Sequence, residues 1–358
     1  MTTRNNRTVV VKVGTSSLTT PSGDIDAATV SSLAADISQL VHEGSRVMVV
    51  SSGAITAGWN AVGGGRPRPQ DSGVLQAVAA VGQPLLMQQW AAAFSAHGHH
   101  TAQVLVAPWD FSHRSHYVKI RNTIDAVSDL GAIAIINEND AVTDDEIRFG
   151  DNDRIAALIA NVMSADRLVL LTDTDGLLTS DPRVDPTASL IHEVRAFDDE
   201  LVAMAGESAS RVGSGGMASK LAAARIATWS GVSCVIAPAR EPHSVRRSVD
   251  RNEDFGTYFH AREERLSARK AWIAFACPTR GVLRVNEGAA HAVEEAGASL
   301  LRVGVDAVMG DFEEGEAVEV SDALGRVVAK GLVRASSARW RDAEDVVIHR
   351  DDLVILRP

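Results

Sequence analysis

Between residues 8 and 240 the chain alternates short, uninterrupted apolar runs with longer stretches whose apolar positions recur at helical spacing. Strands are predicted at 8–13, 46–50, 101–106, 132–136, 167–171 and 233–236, and helices at 26–43, 54–59, 74–97, near 117–129, near 154–163 and at 217–229. A run that is apolar at every position belongs to a strand covered on both faces. Helices between such strands supply the crossovers of a parallel sheet. The expectation is a three-layer α/β sandwich with a mainly parallel sheet over residues 1–240. Residues 241–270 are charged and poor in long apolar runs, although Phe255, Tyr258 and Phe259 offer a local packing patch, and they read as a linker. From 271 to 358 the chain breaks into short strand-like pieces punctuated by Gly281, Gly288, Gly297, Gly304, Gly310, Gly315, Gly325 and Gly331, the rhythm of a small β-rich domain.

Length agrees with two domains, since 358 residues exceed the roughly 100–200 that one core organises. Charge narrows the partners. With 46 acidic against 35 basic residues the net charge is -11, which gives no general pull toward nucleic acid or an anionic membrane. An anionic ligand must therefore be held by local cations. Cys234 and Cys277 each sit in an apolar run and form neither a disulfide framework nor a metal motif, which suits a reducing cytoplasm. No stretch approaches the ~18 apolar residues of a membrane span, and the N-terminus has no signal-peptide pattern, so a cytoplasmic protein is expected. His97, His99 and His100 cluster without cysteines or a helical His pair and read as an exposed helix end, so no protein-held metal is expected.

In an open parallel sheet, ligands collect beyond the carboxyl ends of the strands. Here those ends are polar and glycine-rich: Lys12-Val13-Gly14-Thr15-Ser16-Ser17, Ser51-Ser52-Gly53-Ala54, Asn137-Glu138-Asn139-Asp140 and Thr172-Asp173-Thr174-Asp175-Gly176. Glycine beside Ser or Thr lets backbone N–H groups approach an anion, and a helix that starts at Ala54 adds a favourable dipole. Neither a P-loop nor a dinucleotide fingerprint is present. Gly213-Ser214-Gly215-Gly216-Met217-Ala218-Ser219-Lys220 opens a helix with a lysine in its first turns, where the dipole disfavours it unless an anion is near. Gly150-Asp151-Asn152-Asp153 directly precedes another helix and can cap it or face a ligand.

Taken in chain order, these motifs, with Asp175-Gly176-Leu177, resemble the glutamate 5-kinase family, which has the amino acid kinase fold. Bacterial members often carry a C-terminal PUA domain, which 271–358 and its ending His349-Arg350-Asp351-Asp352-Leu353 resemble. The resemblance implies transfer of the ATP γ-phosphoryl group to the side-chain carboxylate of L-glutamate, forming γ-glutamyl phosphate on the route to proline. It implies glutamate contacts at Ser52, Asp140 and Asn152, and nucleotide contacts at Lys12, Thr172, Asp173, Ser214, Gly215, Gly216, Met217, Ala218, Ser219 and Lys220. It also implies Mg²⁺ carried with the nucleotide, feedback inhibition by proline, a homo-oligomer and hand-off to γ-glutamyl phosphate reductase. Ser214 and Ser219 stand where threonine is usual, and Leu178 where tyrosine is usual; the last bears on nucleotide fit.

The residue types suit that reaction. A carboxylate, with a pKa near ~4, is already ionised and needs no general base. The obstacle is bringing it against a polyphosphate, because two unit charges ~4 Å apart repel by roughly 4 kcal/mol at an effective dielectric of 20. Lys12 and Lys220 are expected to offset that repulsion, with Asp153 orienting both. Related kinases acting on acetylglutamate, aspartate or carbamate share this logic and form the alternative, Asn137–Asp140 and Gly150–Asp153 being what favours glutamate. A second alternative is an RNA-binding role through 271–358, but that segment holds 10 basic and 15 acidic residues and shows no basic patch.

Overall fold

The computed structural model describes residues 7–142, 152–198, 201, 216–251, 255–341 and 345–356. The chain divides into two compact units, Met1–Arg265 and Leu266–Pro358.

The first unit runs β1 (Thr8–Val13), α1 (Thr15–Leu18), α2 (Ala27–His42), β2 (Arg46–Ser51), α3 (Ala54–Val62), α4 (Ser72–Ser95), β3 (His100–Val106), α5 (Pro108–Ser112), α6 (Arg114–Asp129) and β4 (Ala132–Glu138). It continues with α7 (Asn152–Val162), β5 (Arg167–Thr172), β6 (Glu193–Val194), α8 (Met217–Trp229), β7 (Ser233–Pro238), α9 (Ser244–Val249) and β8 (Thr257–Phe259). Among the described residues these strands form one sheet in the order β3-β4-β2-β1-β5-β7-β8-β6. Pairing is parallel except where β8 runs antiparallel to β7. The stretch read as a linker supplies part of this unit: its first residues build α9 and β8, and the boundary between units falls after Arg265.

The central strand explains how the sheet separates core from chemistry. Val9, Val11 and Val13 of β1 are fully buried in a cluster with Leu33 and Ile37 of α2 and Leu86 and Trp90 of α4. Successive side chains of a strand point to opposite faces, so Lys12 belongs to the other face, against which α7 packs. α8 packs beside α7. Lysine thus enters a buried strand on the one side where another element can bring it a partner.

α3 and α4 cross at two glycines. A Cβ on Gly82 would lie 1.8 Å from the Ala54 carbonyl oxygen, and one on Gly58 would lie 2.0 Å from that of Val78. Backbone therefore packs on backbone, and the start of α3 is fixed against the middle of α4. Gly82→Ala should cost about 1–3 kcal/mol or more by overpacking. A denaturant titration checks this, and an unchanged midpoint would show that the crossing can relax.

In the second unit, β9 (Thr279–Val285), α11 (Glu287–Ala296), β10 (Leu300–Leu301), β11 (Val305–Gly310), β12 (Ala317–Ser321), β13 (Val327–Leu332), β14 (Val346–Ile348) and β15 (Leu353–Ile355) follow a short helix α10 (Ala268–Ala271) and one π-helical turn. The sheet order is β11-β9-β12-β13-β15, with β10 and β14 forming a separate pair. Leu283, Val293, Phe312, Val320, Val328 and Ile348 fill its core.

Candidate active site

Two half-sites meet at the N-terminus of α7. The first is a charge triad. Lys12 Nζ lies 2.7 Å from Asp153 Oδ1, and Lys220 Nζ lies 3.4 Å from Asp153 Oδ2. Ser219 donates to Asp153 Oδ2 at 2.6 Å. Lys12, Lys220 and Asp153 are 3%, 5% and 1% exposed, so these charges act in a medium where they are weakly screened. Burial alone would raise the Asp153 pKa, but the Lys12 and Lys220 ammonium groups overcome it and hold the carboxyl below its usual range. Burial depresses the Lys220 pKa, opposed by Asp153 and by Asp173 and reinforced by Lys12.

Each member is placed by its own element. Lys12 is the penultimate residue of β1, Asp153 occupies the first turn of α7, where a negative charge suits the helix dipole, and Lys220 occupies the first turn of α8, where it needs the compensation Asp153 gives. Thr172 ends β5, and its hydroxyl donates to Asp173 at 3.2 Å. Gly216, Met217 and Ala218 open α8 beside Ser219. Ser214 and Gly215 lie outside the described residues.

The second half-site is neutral and amide-lined. Gly53, at φ 109, takes a left-handed backbone that turns β2 into α3 and leaves Ser52 at the corner. Asn152 Nδ2 donates to Ser52 Oγ at 3.1 Å and to Asn137 Oδ1 at 2.9 Å. The Glu138 backbone N–H donates to Asn137 Oδ1 and Asn152 Oδ1. Asn137 Nδ2 donates to Gln83 Oε1 at 2.8 Å, and Gln83 Nε2 donates to Gln103 Oε1 at 3.1 Å. Beside this hydrogen-bonded row lies a cavity of about 240 Å³, lined by Gln83, Gln103, Glu138, Asn139 and Asp140 together with apolar residues that include Ala54 and Leu105. Burial, then the neighbouring Glu138 charge, pushes the Asp140 carboxyl up to about 7, with Arg68 opposing.

Asn152 and Asp153 are consecutive, so one residue step joins the amide half-site to the charge triad. The structure brings together Lys12, Asp153, Ser219 and Lys220 in one place, Ser52 and Asn152 in the other, and sets Asp140 on the adjoining cavity. Sequence reading missed Gln83 and Gln103, because a glutamine within an alanine-rich helix or on an edge strand reads as surface. It also missed Glu138 as a neighbour of Asp140, because Asp140 lies past the end of β4, where strand alternation no longer sets the side chains.

The amino acid kinase family matches residues 7–238 and the PUA domain matches residues 281–349. A glutamate 5-kinase of Chromobacterium violaceum is 43% identical over 97% of this chain and 97% of its own length. The chain belongs to the glutamate 5-kinase family. Another relative, a glutamate 5-kinase of Polaromonas naphthalenivorans, is 40% identical over 99% of this chain and 97% of its own length. The crystal structure of an isopentenyl phosphate kinase of T. acidophilum, as a product complex, is 18% identical, with a TM-score of 0.50 over 71% of this chain and all of that one. That likeness concerns the fold. The glutamate 5-kinase family thus carries here the amino acid kinase sandwich expected from the strand and helix pattern, followed by a PUA domain.

Proposed function

We propose that this chain transfers the γ-phosphoryl group of ATP to the side-chain carboxylate of L-glutamate, making γ-glutamyl phosphate, the first step of proline biosynthesis. The observation that carries the reading is the convergence of Lys12 and Lys220 on one buried carboxylate, Asp153, at the carboxyl end of the parallel sheet. Two ammonium groups against one carboxylate leave a surplus positive charge in a protected place. A polyphosphate and an incoming carboxylate are anions that repel one another, and a fixed cationic pair relieves that repulsion most where charge builds up on the transferring group. Asp153 keeps both ammonium groups oriented before substrate arrives, so little reorganisation is left to the reaction itself.

Thr172, Asp173 and the start of α8 serve the nucleotide in this reading, as do Ser214 and Gly215, which precede that helix in the sequence. Both Asp153 oxygens are already engaged by ammonium groups, and among the described residues no three His, Cys, Asp or Glu side chains gather to hold a metal. In this reading Mg²⁺ enters with the phosphates that bind it. In this reading the catalytic domain takes in α9 and β8 and runs to Arg265, and the PUA-like domain follows from Leu266. Proline is the feedback inhibitor and the enzyme works as a homo-oligomer. An acyl phosphate hydrolyses readily, which favours direct delivery to γ-glutamyl phosphate reductase. Among the described residues no helix is long and apolar enough to cross a membrane.

Asp140 pairs with the substrate ammonium and must be ionised to do so. Its pKa of about 7 in the free enzyme then appears in kcat/KM for glutamate, which should fall about tenfold per pH unit below that value. Asp140→Asn should raise the KM for glutamate and flatten the profile. An unchanged KM in that variant would remove Asp140 from the pocket.

Offering glutamate, acetylglutamate, aspartate and carbamate separately, with ADP release as readout and hydroxylamine trapping of the acyl phosphate, tests the whole assignment. Turnover only with a substrate other than glutamate would overturn it.

A further inference from the structure

We infer that Gln83 is a positioning residue for glutamate binding, acting through Asn137 and Asn152 on Ser52; this rests on the proposed glutamate phosphorylation. The hydrogen bonds have one direction. Gln103 accepts from Gln83, Gln83 from Asn137, Asn137 from Asn152, and Ser52 from Asn152. Each amide is thereby locked against a flip, since a reversed Asn137 would set its oxygen against the Gln83 oxygen and its NH₂ against that of Asn152.

Both amide hydrogens of Asn152 are committed, one to Asn137 and one to Ser52, so in the ligand-free chain Asn152 acts chiefly by fixing Ser52. The Ser52 hydroxyl accepts from Asn152 and keeps its own proton for donation. A carboxylate, which only accepts, is the ligand such a hydroxyl suits. Gln83 holds the polarity of the relay from its far end, and it is 9% exposed.

The helix crossing makes Gln83 the residue able to do this. Gly82, its neighbour, touches the Ala54 carbonyl, two residues beyond Ser52. The same backbone contact therefore sets both ends of the relay, Gln83 on α4 and Ser52 at the entrance to α3. Gln83 also lines the cavity beside Asp140, so direct contact with substrate is the rival explanation that the experiment must separate.

A cycle of Gln83→Leu and Ser52→Ala tests the inference in the full-length chain, with glutamate-dependent ADP release as assay. Loss of one buried hydrogen bond predicts a rise of about fivefold to tenfold in the glutamate KM of Gln83→Leu, with kcat and the ATP KM within about twofold of wild type. In the Ser52→Ala background the same substitution should add less than about twofold, because the relay then has no end to position. An unchanged KM in the single variant overturns the inference, and so does a full effect in the Ser52→Ala background, which would mean that Gln83 touches substrate itself. Should Gln83→Leu fail to fold, Gln103→Leu replaces it. Gln103 is exposed and lines the same cavity; its loss leaves Gln83 without its acceptor, so a KM rise of about twofold to threefold is expected with Ser52 present and none in the Ser52→Ala background, and no rise in the first or an equal rise in the second refutes the relay. Absence of glutamate turnover in the unaltered chain would instead strike at the proposed reaction, whatever the variants do.

Discussion

Lys12→Ala should lower kcat about a thousandfold while the KM for glutamate stays within about threefold, because the lost interaction belongs to the transferring phosphoryl group and not to the bound amino acid. Steady-state kinetics with both substrates varied separates the two constants. Lys12 has no structural alternative of equal weight: it is the penultimate residue of a strand whose other side chains after Thr8 are all valine, it is 3% exposed, and it reaches Asp153 at 2.7 Å. Lysine→alanine there also removes one cation from a site that holds two against one acid, so the ligand-free protein loses its positive surplus and is left with the neutral pair of Lys220 and Asp153. Stability should therefore suffer less than catalysis. A variant that turns over at the wild-type rate would dismiss Lys12 from the reaction.

Asp153→Asn should have the opposite balance, with a large loss of stability accompanying the loss of rate. Two buried ammonium groups would then face each other with no anion between them, and breaking a buried ion pair by removing one partner typically costs about 3–5 kcal/mol. The measurement is a urea or guanidinium titration at neutral pH alongside kcat. Acid provides an independent check. The Asp153 pKa is lower in the folded chain than in the unfolded one, so its stabilising contribution is fully present above the unfolded value of about 4 and is lost as pH falls through the lower folded value. The wild type should lose stability over that acid window, and Asp153→Asn should lack this component. An Asn variant as stable as wild type at neutral pH would mean that Lys220 gives up its proton when the acid is removed, which its already depressed pKa makes the alternative to test by titration.

How much of this could be read from the chain depended on whether the signal was local. The buried strands announced themselves because β1, β4 and β5 are apolar at nearly every position, and the boundaries of β1 and of α8 fall where the pattern puts them. Lys12 was legible because a lysine closing such a run has no solvent to reach. Lys12 and Lys220 both contact Asp153. The extension of the sheet by β8 and β6 was not legible. Those strands are three and two residues long, and the charged residues around them obscure the aromatic pairing of Tyr258 and Phe259 with β7. The amide relay escaped for a different reason. Gln83, Gln103, Asn137 and Asn152 come from four elements, and no spacing along the chain distinguishes a buried amide from a solvated one.

The acid shared by two lysines also bears on how the molecule comes into being. Its three charged members sit at positions 12, 153 and 220, far apart along the chain, and the last of them opens α8. A nascent polypeptide that has emerged only as far as α7 carries Lys12 and Asp153 alone, an electrically balanced pair, and still lacks β5, on which β1 pairs. Only when Lys220 docks does the pocket acquire its excess of positive charge. Any fragment ending before that helix also lacks β7 and β8, and it leaves Lys12 alone against Asp153, with no second cation for a triphosphate.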